Sequence, residues 1–286
     1  MSDSDQDKAK EPVKLVHYTT AEAAYSILSQ GQIWMRRANL MNDISEIFHG
    51  CSTFRKILEK KIDAIPKESL KDKEIKEKLK KTFDGLFKEL QKIRPNAYVT
   101  SFSNISEEEQ KKHLGRLSMW RAYGGKAGVA IVFNELFCKN LQNLQKNTKN
   151  TKIIVRDVNY CHSDDPETWD ILLKDYSDIY ASIPFIKHRG FKEETEWRLV
   201  MINPADGGVS TSIKNEFKMI RDIPQRIYIY NFDPIKCIDY IIIGPTLDID
   251  HAYAIQESFE KITYNNSCVL SESRIHLSKI PLRMYG

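Results

Sequence analysis

Long apolar runs are missing from this sequence. The uncharged apolar runs, such as that around Tyr240 to Pro245, are far below the roughly 18 residues that a membrane-spanning helix needs. The opening residues, "MSDSDQDKAKEP", are polar and contain no apolar stretch that could act as an export signal. These absences predict a cytoplasmic protein with no membrane partner, and we expect residues 1–12 to be a disordered tail.

Cysteine is scarce, and its spacing carries no motif. The five cysteines are odd in number, scattered along the chain and never in C-x-x-C spacing: Cys51, Cys138, Cys161, Cys237 and Cys268. A disulfide framework and a zinc site both need regular cysteine spacing, so neither is expected. We predict reduced thiols and no bound metal.

Composition is that of an ordinary globular protein, with one uneven feature. The 286 residues are 41% hydrophobic and 29% charged, with a formal net charge of +4. Residues 55–94, called here the basic segment, carry 14 Lys and Arg against 8 Asp and Glu. Apolar residues recur there every three or four positions, which predicts two amphipathic helices broken near Pro66. Such a pair is either a solvated charged surface or a site for an anionic partner such as nucleic acid.

Strand patterns outnumber helix patterns in the rest of the chain. One helix is predicted from a Thr cap to Gly31, and another over "SDDPETWDILLKDYSDIYASI", between Asp caps and Pro184. Because strands and helices do not alternate, we predict an α+β fold: a single domain at residues 13–286 with a helical insert at about residues 50–94. The predicted strands are "KLVHYTT", "AYVTSFS", "GVAIVFN", "KIIVRDVNY", "EWRLVMI", "RIYIYNF", "DYIIIGP" and "RIHLSKI".

Two carboxylates stand close together in "RGFKEETEWRLVMI". Glu194 and Glu196 are two residues apart, so they share a face if the strand has begun by Glu194, and Arg198 shares that face. Paired carboxylates occur in acid–base sites, but Arg198 could equally neutralise one of them at an ordinary strand edge. The spacing leaves both interpretations open.

Two further clusters contain side chains that packing does not fully explain. The strand "TSFS" ends in hydroxyls, and Trp120 and Tyr123 lie three residues apart on a short helix before a Gly-Gly turn. The two aromatics are either core residues or a stack for a flat heterocycle. In "LMNDISEIFHG", the polar side chains Asn42, Asp43 and Glu46 stand where a helix should begin, and N-capping is the default interpretation.

The order of these motifs resembles a known family. "HYT…ILSQGQI", "MNDISE", "TSFS…MWRAYG…GVAIVF", "GFKEETEWRLV" and "DYIIIGP" follow one another from about Leu15 to about Gly244. This arrangement is similar to a widespread bacterial family of uncharacterised domains that is grouped with the ADP-ribosyltransferases. The resemblance implies an ADP-ribosyltransferase-like split β-sheet and NAD as a substrate.

The resemblance also implies roles for individual residues. It places His17 on an NAD ribose, with Tyr18 and Thr19 beside it, and it makes Tyr18, Trp120 and Tyr123 the candidates for stacking nicotinamide. Ser103 would brace the catalytic glutamate. That glutamate falls on Glu196, and Glu194 becomes the second carboxylate, which orients or deprotonates the acceptor.

The function implied is NAD-dependent mono-ADP-ribosyl transfer to a macromolecule, either nucleic acid or protein. Such an enzyme would be a bacterial toxin or phage-defence effector, held in check by an antitoxin protein. Alternatives are an NAD glycohydrolase with water as acceptor, and a non-catalytic binding module whose motif residues are core and caps. A 2′-phosphotransferase acting on RNA is more distant, because it would use His and Arg groups.

Overall fold

The computed structural model describes most of the chain as a mixture of helices and strands. Its strands pair mainly in an antiparallel manner, which confirms the predicted α+β class. Among the helices in this part of the chain, none combines the length and apolar composition needed to cross a bilayer. The described ranges are 14–40, 70–93, 96–146, 151–161, 182–202, 213–245 and 249–280, with a few helical residues between 52 and 64.

All eight predicted strand segments contain a strand, whereas the charged strands β2 and β9 were not predicted. The strands are β1 (Leu15–Thr20), β2 (Gln32–Arg37), β3 (Ala97–Asn104), β4 (Gly128–Phe133), β5 (Lys152–Asp157), β6 (Asn159–Cys161), β7 (Ile186–His188), β8 (Glu196–Ile202), β9 (Ile213–Ile220), β10 (Ile223–Asn231), β11 (Ile238–Ile243), β12 (Thr263–Tyr264), β13 (Ser267–Cys268) and β14 (Ile275–Leu277). The α-helices are α1 (Ala21–Gln30), α2 (Leu70–Ile93), α3 (Glu107–Lys112), α4 (Leu117–Tyr123), α5 (Glu135–Lys146), α6 (Pro234–Cys237) and α7 (Ile249–Glu260).

The residues group into two compact units. The first comprises residues 1–32, 102–143 and 231–286, and the second comprises residues 33–101 and 144–230. The division falls inside β3, so that the strand contributes its first residues to the second unit and its last residues to the first.

Strand β4 lies at the centre of the first unit. It pairs antiparallel with β1 on one side and with β11 on the other, and β14 extends β11 in parallel. All six residues of β4 are buried, as expected for the unbroken apolar sequence GVAIVF. Phe133, its last residue, stacks on Phe137 of α5 with ring centroids 3.9 Å apart.

Helix α1 begins and ends as its sequence predicts. The Thr20 side chain accepts a hydrogen bond from the Ala23 N–H, 3.3 Å away, and so caps the first turn. Gly31 ends the helix in the left-handed conformation, with φ 63°. A Cβ at Gly31 would collide with the carbonyl oxygen of Phe232, so this position requires glycine.

The second unit is built from two groups of strands. One group runs in the order β3, β2, β10, β9, where β9 and β10 form a hairpin closed at Arg221 and Asp222. The other pairs β8 with both β3 and β5, and the short strands β6 and β7 pair in parallel beside it. These pairings bring Lys187 of β7 next to Glu196, the first residue of β8.

Helix α2 confirms the second helix predicted for the basic segment. Lys71, Lys78 and Lys81 are exposed on it, whereas Lys76 is buried and its ammonium lies 3.0 Å from the Asp63 carboxylate. Several other predictions fall outside the described residues: the N-terminal tail, Cys51, the break at Pro66, Asn42, Asp43, Glu46 and most of the helix at residues 163–183. The cysteines Cys138, Cys161, Cys237 and Cys268 are thiols.

Candidate functional site

Four charged side chains form a buried cluster in the second unit. The Lys187 ammonium lies 2.8 Å from Glu194 Oε2 and 3.0 Å from Glu196 Oε2. Arg198 donates hydrogen bonds to both carboxylate oxygens of Glu196, at 2.7 and 2.9 Å. Their relative exposures are only 1% for Lys187, 9% for Glu194, 4% for Glu196 and 3% for Arg198. We call these four residues the charge quartet. Ionised groups are rarely buried unless they are paired, so two acids are matched by two bases.

Strand β8 positions only half of the quartet. Glu196 and Arg198 are its first and third residues, so their side chains point to one face and meet there, as the sequence predicts. Glu194 is the last residue of a 3-10 helix, Arg189–Glu194, and does not belong to the strand. The condition that the strand has begun by Glu194 is therefore not met, and another feature must bring the two carboxylates together.

That feature is the backbone of Thr195. This residue has φ 41° and ψ 50°, in the left-handed region, and its N–H donates to the Lys192 carbonyl. A β-branched residue in this conformation is strained, because its Cβ crowds the backbone, and such strain concentrates at functional positions. The turn redirects the chain so that Glu194 reaches the same ammonium as Glu196.

Lys187 is the member of the quartet that was not predicted from the sequence. It lies in the middle of β7, opposite Tyr160 of β6, and its ammonium is also 4.9 Å from the centre of the Phe191 ring. The Tyr160 hydroxyl accepts a hydrogen bond from the Glu196 N–H at 2.6 Å. A lone lysine inside the apolar stretch "IPFIKH" was the available signal, because a lysine there must find an acidic partner.

Two further groups hold the quartet in place. Arg198 donates from its remaining terminal nitrogen to the Pro184 carbonyl at 2.6 Å, and the Ser101 side chain hydrogen-bonds to Glu196. The resemblance gives the bracing role to Ser103, whose Oγ is buried without a hydrogen-bond partner in the described part of the chain. Side chains two residues apart on a strand are separated by about 6.8 Å, so only one of the two serines can reach a given carboxylate.

The two carboxylates of the quartet differ in their electrostatics. Burial raises the pKa of Glu196, but the charge and hydrogen bonds of Arg198 and the Lys187 ammonium outweigh burial and hold that pKa well below its usual range. Burial also raises the pKa of Glu194, and there Lys187 compensates only in part, so the pKa stays above its usual value. Burial raises the pKa of Tyr160 to about 12. The quartet therefore contains one carboxylate fixed in the ionised state and one that binds protons more readily.

The first unit contains the other predicted site residues. Tyr18 and Trp120 are core residues, with relative exposures of 7% and 4% and ring centroids 5.0 Å apart. The Tyr18 hydroxyl accepts from the Arg116 N–H, and the Trp120 indole N–H donates to the Leu114 carbonyl. Burial raises the pKa of Tyr18 to about 12. Both aromatic rings are thus committed to packing.

Three glycines make room for the Trp120 indole. A Cβ built at Gly115, Gly128 or Gly244 would lie 2.5, 3.0 and 2.7 Å from its ring atoms. Such distances are shorter than ordinary carbon–carbon contacts, so the ring fills a space bounded by bare backbone. A ring enclosed in this way has no face for a ligand.

The remaining predicted residues do not share one face of the first unit. His17 and Tyr18 are neighbours on β1 and therefore point to opposite faces. The partly buried His17 ring meets Phe102 edge-on at 5.8 Å, whereas Ser103 pairs with Val16, on the Tyr18 side. Thr19 is partly buried, and Tyr123 is 42% exposed. Of the three aromatic candidates, Tyr123 is the most exposed residue.

Comparison with known proteins gives one match. Residues 119–199 match a protein family described as protein of unknown function (DUF2971). No curated protein and no solved structure matches the chain. In the residues that the structure describes, no group of three or more His, Cys, Asp or Glu side chains could hold a metal ion. The family match includes most of α4 and the whole charge quartet, and it agrees with the predicted resemblance to an uncharacterised bacterial family.

Proposed function

We propose that the chain is an NAD-dependent mono-ADP-ribosyltransferase built on an ADP-ribosyltransferase-like split sheet. One observation carries the proposal: a single buried ammonium, that of Lys187, is shared by two carboxylates whose pKa values move in opposite directions. Carboxylates that are separated in this way can divide the roles of charge stabiliser and base between them. The resemblance of the ordered motifs supplies the reaction.

Glu196 stabilises the positive charge of the reaction. Cleaving the bond between nicotinamide and ribose passes through an oxocarbenium-like state, and a fixed anion next to that ribose lowers its energy. Both Glu196 oxygens already have partners, so we propose that the ribose 2′-hydroxyl takes the place of Lys187 at Oε2. Lys187 keeps its bond to Glu194 in that exchange, which limits the cost.

Glu194 acts as the base for the acceptor. A hydroxyl or amine of the acceptor attacks C1′ of the ribose and loses its proton to Glu194. The bond from C1′ to nicotinamide breaks at the same time, and its electron pair leaves with the nicotinamide ring. A raised pKa suits this role because the carboxylate then holds the proton more firmly.

The resemblance also implies NAD contacts by individual residues. His17 would hydrogen-bond a ribose, and among the aromatic candidates Tyr123 is favoured for stacking because this residue is 42% exposed. Tyr18 and Trp120 then serve as core residues. Thr19 remains a candidate for NAD binding through its hydroxyl.

The test is a turnover assay with adenylate-labelled NAD and whole-cell lysate, separated into protein and nucleic-acid fractions. Glu196→Gln should lose about a hundredfold or more in nicotinamide release while NAD binding is kept. Glu194→Gln should lose more transfer than hydrolysis. Glu193→Gln is the matched control, because Glu193 is exposed and adjacent. Unchanged turnover of Glu196→Gln would remove the assignment.

Two alternatives have distinct outcomes in the same assay. An NAD glycohydrolase releases ADP-ribose into solution and labels no macromolecule. A non-catalytic module fails to bind NAD at millimolar concentration, and one observation favours it: the quartet is closed, with both oxygens of Glu196 already engaged by Arg198 and Lys187.

The cellular setting proposed is a toxin or defence effector restrained by an antitoxin protein, an inference that rests on fold analogy. Expression of the intact chain should slow growth, whereas the Glu196→Gln variant should not. Equal growth of the two strains would argue against toxicity.

A further inference from the structure

One face of the β9–β10 hairpin gathers cations around an aromatic ring in the second unit. Trp34 and Arg36 are two residues apart on β2 and so share a face. The Lys218 ammonium lies 6.0 Å from the Trp34 ring centre, and an Arg36 nitrogen lies 3.5 Å from Gln225 Oε1. Lys218 and Gln225 stand opposite each other across the hairpin. We call this surface, with the turn residue Arg221, the Arg36 face.

Arg36 has no acidic partner among the residues that the structure describes. Its guanidinium donates to the Leu40 carbonyl at 3.2 Å and to Gln225, both neutral, and its Nε–H is buried without an acceptor in the described part of the chain. Burial, and then the charge of Arg221, lower the pKa of Arg36. Arg198 in the same unit is matched by a carboxylate on two nitrogens. A half-buried guanidinium is normally compensated by an anion, and in the described residues Arg36 has only neutral acceptors.

The neighbouring groups orient Arg36. Gln225 is only 5% exposed, and its amide nitrogen donates to the Ile220 carbonyl, which turns its oxygen toward Arg36. Glu216, an acidic group on this face, is paired with Lys218 at 2.8 Å. Arg36 is therefore held in place by a neutral side chain.

The hairpin turn adds a second cation at a conformational cost. Arg221 and Asp222 form the turn, with φ 50° and 61°. Two-residue turns with both residues left-handed favour Asn-Gly or Asp-Gly, because other side chains are strained there. An arginine at the first position is an unfavoured choice for the backbone, and it places a guanidinium close to Arg36. This is the pattern expected where function, not folding, selects the residue.

We propose that the Arg36 face binds a single-stranded nucleic acid, with a phosphate between Arg36 and Arg221 and a base on Trp34. Guanidinium groups match phosphate geometry, and sequence-tolerant binding of single strands combines such cations with aromatic rings. Trp34 is partly exposed, as stacking requires.

The opposite face of the hairpin provides a matched control. Arg226 pairs with Phe217 across the hairpin, and its guanidinium lies 5.3 Å from the Phe217 ring centre. Because Arg226 follows Gln225 on β10, its side chain points to the face of the hairpin opposite to Gln225. Arg226→Gln removes the same charge as Arg36→Gln from the same hairpin. Any difference between the two variants therefore reports the Arg36 face and not the net charge.

The experiment measures fluorescence anisotropy of a labelled single-stranded oligonucleotide, without NAD, so that its result is independent of the proposed transferase activity. Arg36→Gln should weaken binding about tenfold at about 0.1 M salt and lower the salt slope by about one. Arg36→Lys should weaken it less. Trp34→Leu should weaken binding about tenfold through lost stacking. Arg226→Gln should change it by about twofold or less. Thermal unfolding of each variant separates lost binding from lost folding.

Two outcomes would overturn the proposal. Equal losses in Arg36→Gln and Arg226→Gln would mean that only overall charge attracts the strand. Competition of NAD and of inorganic phosphate against the labelled oligonucleotide distinguishes the source of the phosphate. If NAD bound in an Arg36-dependent manner and the oligonucleotide did not, the face would belong to a free dinucleotide and not to a nucleic acid.

Discussion

Arg198 forms a bidentate ion pair with Glu196, two residues earlier on β8, and donates to its two carboxylate oxygens at 2.7 and 2.9 Å. The pair is almost fully buried, so neither charge is solvated if the other is lost. Arg198→Leu should lower the free energy of unfolding by about 3 kcal/mol or more, because it leaves a buried carboxylate short of a partner. Urea unfolding measures this. The exposed Arg189→Leu serves as control, and similar losses in both variants would contradict the argument.

The depressed pKa of Glu196 makes stability depend on acid. Folding holds that pKa at about 2, below the ordinary 4.5, so the folded state favours the ionised form. The resulting stability is complete above about pH 4.5 and is lost as the pH falls toward 2. Glu194, with its raised pKa, works in the opposite sense.

Unfolding free energies across that acid range should therefore flatten in Glu196→Gln. Glu109 provides a comparison in the first unit: burial raises its pKa, but Arg116 and the Ser106 cap hold it at about 2. Glu109→Gln should remove part of the same loss of unfolding free energy at acid pH. If the unfolding free energy of Glu196→Gln fell with acid as steeply as that of the original protein, the quartet would not titrate in this way.

The left-handed backbone of Thr195 predicts that glycine is more stable there. Thr195→Gly should raise the free energy of unfolding by about 0.5 to 1 kcal/mol, the relief of Cβ strain less the greater entropy of unfolded glycine. Thr195→Ala keeps a Cβ and should gain nothing. Denaturant unfolding of the three proteins decides the matter, and equal effects of Gly and Ala would refute the strain.

Lys187 should set the pH dependence of transfer under the proposed mechanism. Its ammonium partly offsets the burial of Glu194, so Lys187→Met should raise the pKa of Glu194 further. The rising limb of transfer against pH should then move to higher pH, while Lys187→Arg should preserve it. A profile that keeps its position in Lys187→Met, with activity merely reduced, would assign Lys187 to folding alone.

Exposed lysines on α2 test whether the basic segment guides an anionic acceptor. Reversing Lys71, Lys78 and Lys81 to glutamate should reduce nucleic-acid labelling, because phosphate binding releases counterions and depends on such charges. NAD hydrolysis and thermal stability should barely change, since exposed helix charges contribute little to folding. Labelling confined to protein, and indifferent to the three changes, would make the segment a solvated surface or a regulator's docking site.

The parts of the fold that the sequence predicts are those in which local pattern decides. β8 begins at Glu196, as predicted, and the period of two along it correctly places Glu196 and Arg198 together. The Thr20 cap and Gly31 fix the bounds of α1 because their signals are local. β2 and β9 were missed because their charged residues hide the alternation, and only pairing with neighbouring strands stabilises them.

The chemistry of the quartet was harder to predict for a related reason. Lys187 reaches the carboxylates through the pairing of two three-residue strands, which no local spacing specifies. Ser101 and Ser103 are equivalent by sequence, and only the position of β3 beside β8 selects Ser101. The convergence of Glu194 and Glu196 comes from a strained turn, whereas strand periodicity suggested the right pair for a different reason.

The enclosure of Trp120 by Gly115, Gly128 and Gly244 has a consequence for the history of the sequence. Three positions spread over the chain share one ring as their neighbour, so none of them can gain a side chain while the indole stays. In related chains with a smaller residue at position 120, Gly244 would be released, whereas Gly115 would still be required by its φ of 70° and Gly128 by the nearby backbone of Gly124. A side chain at position 244 should consequently be found together with a smaller residue at position 120.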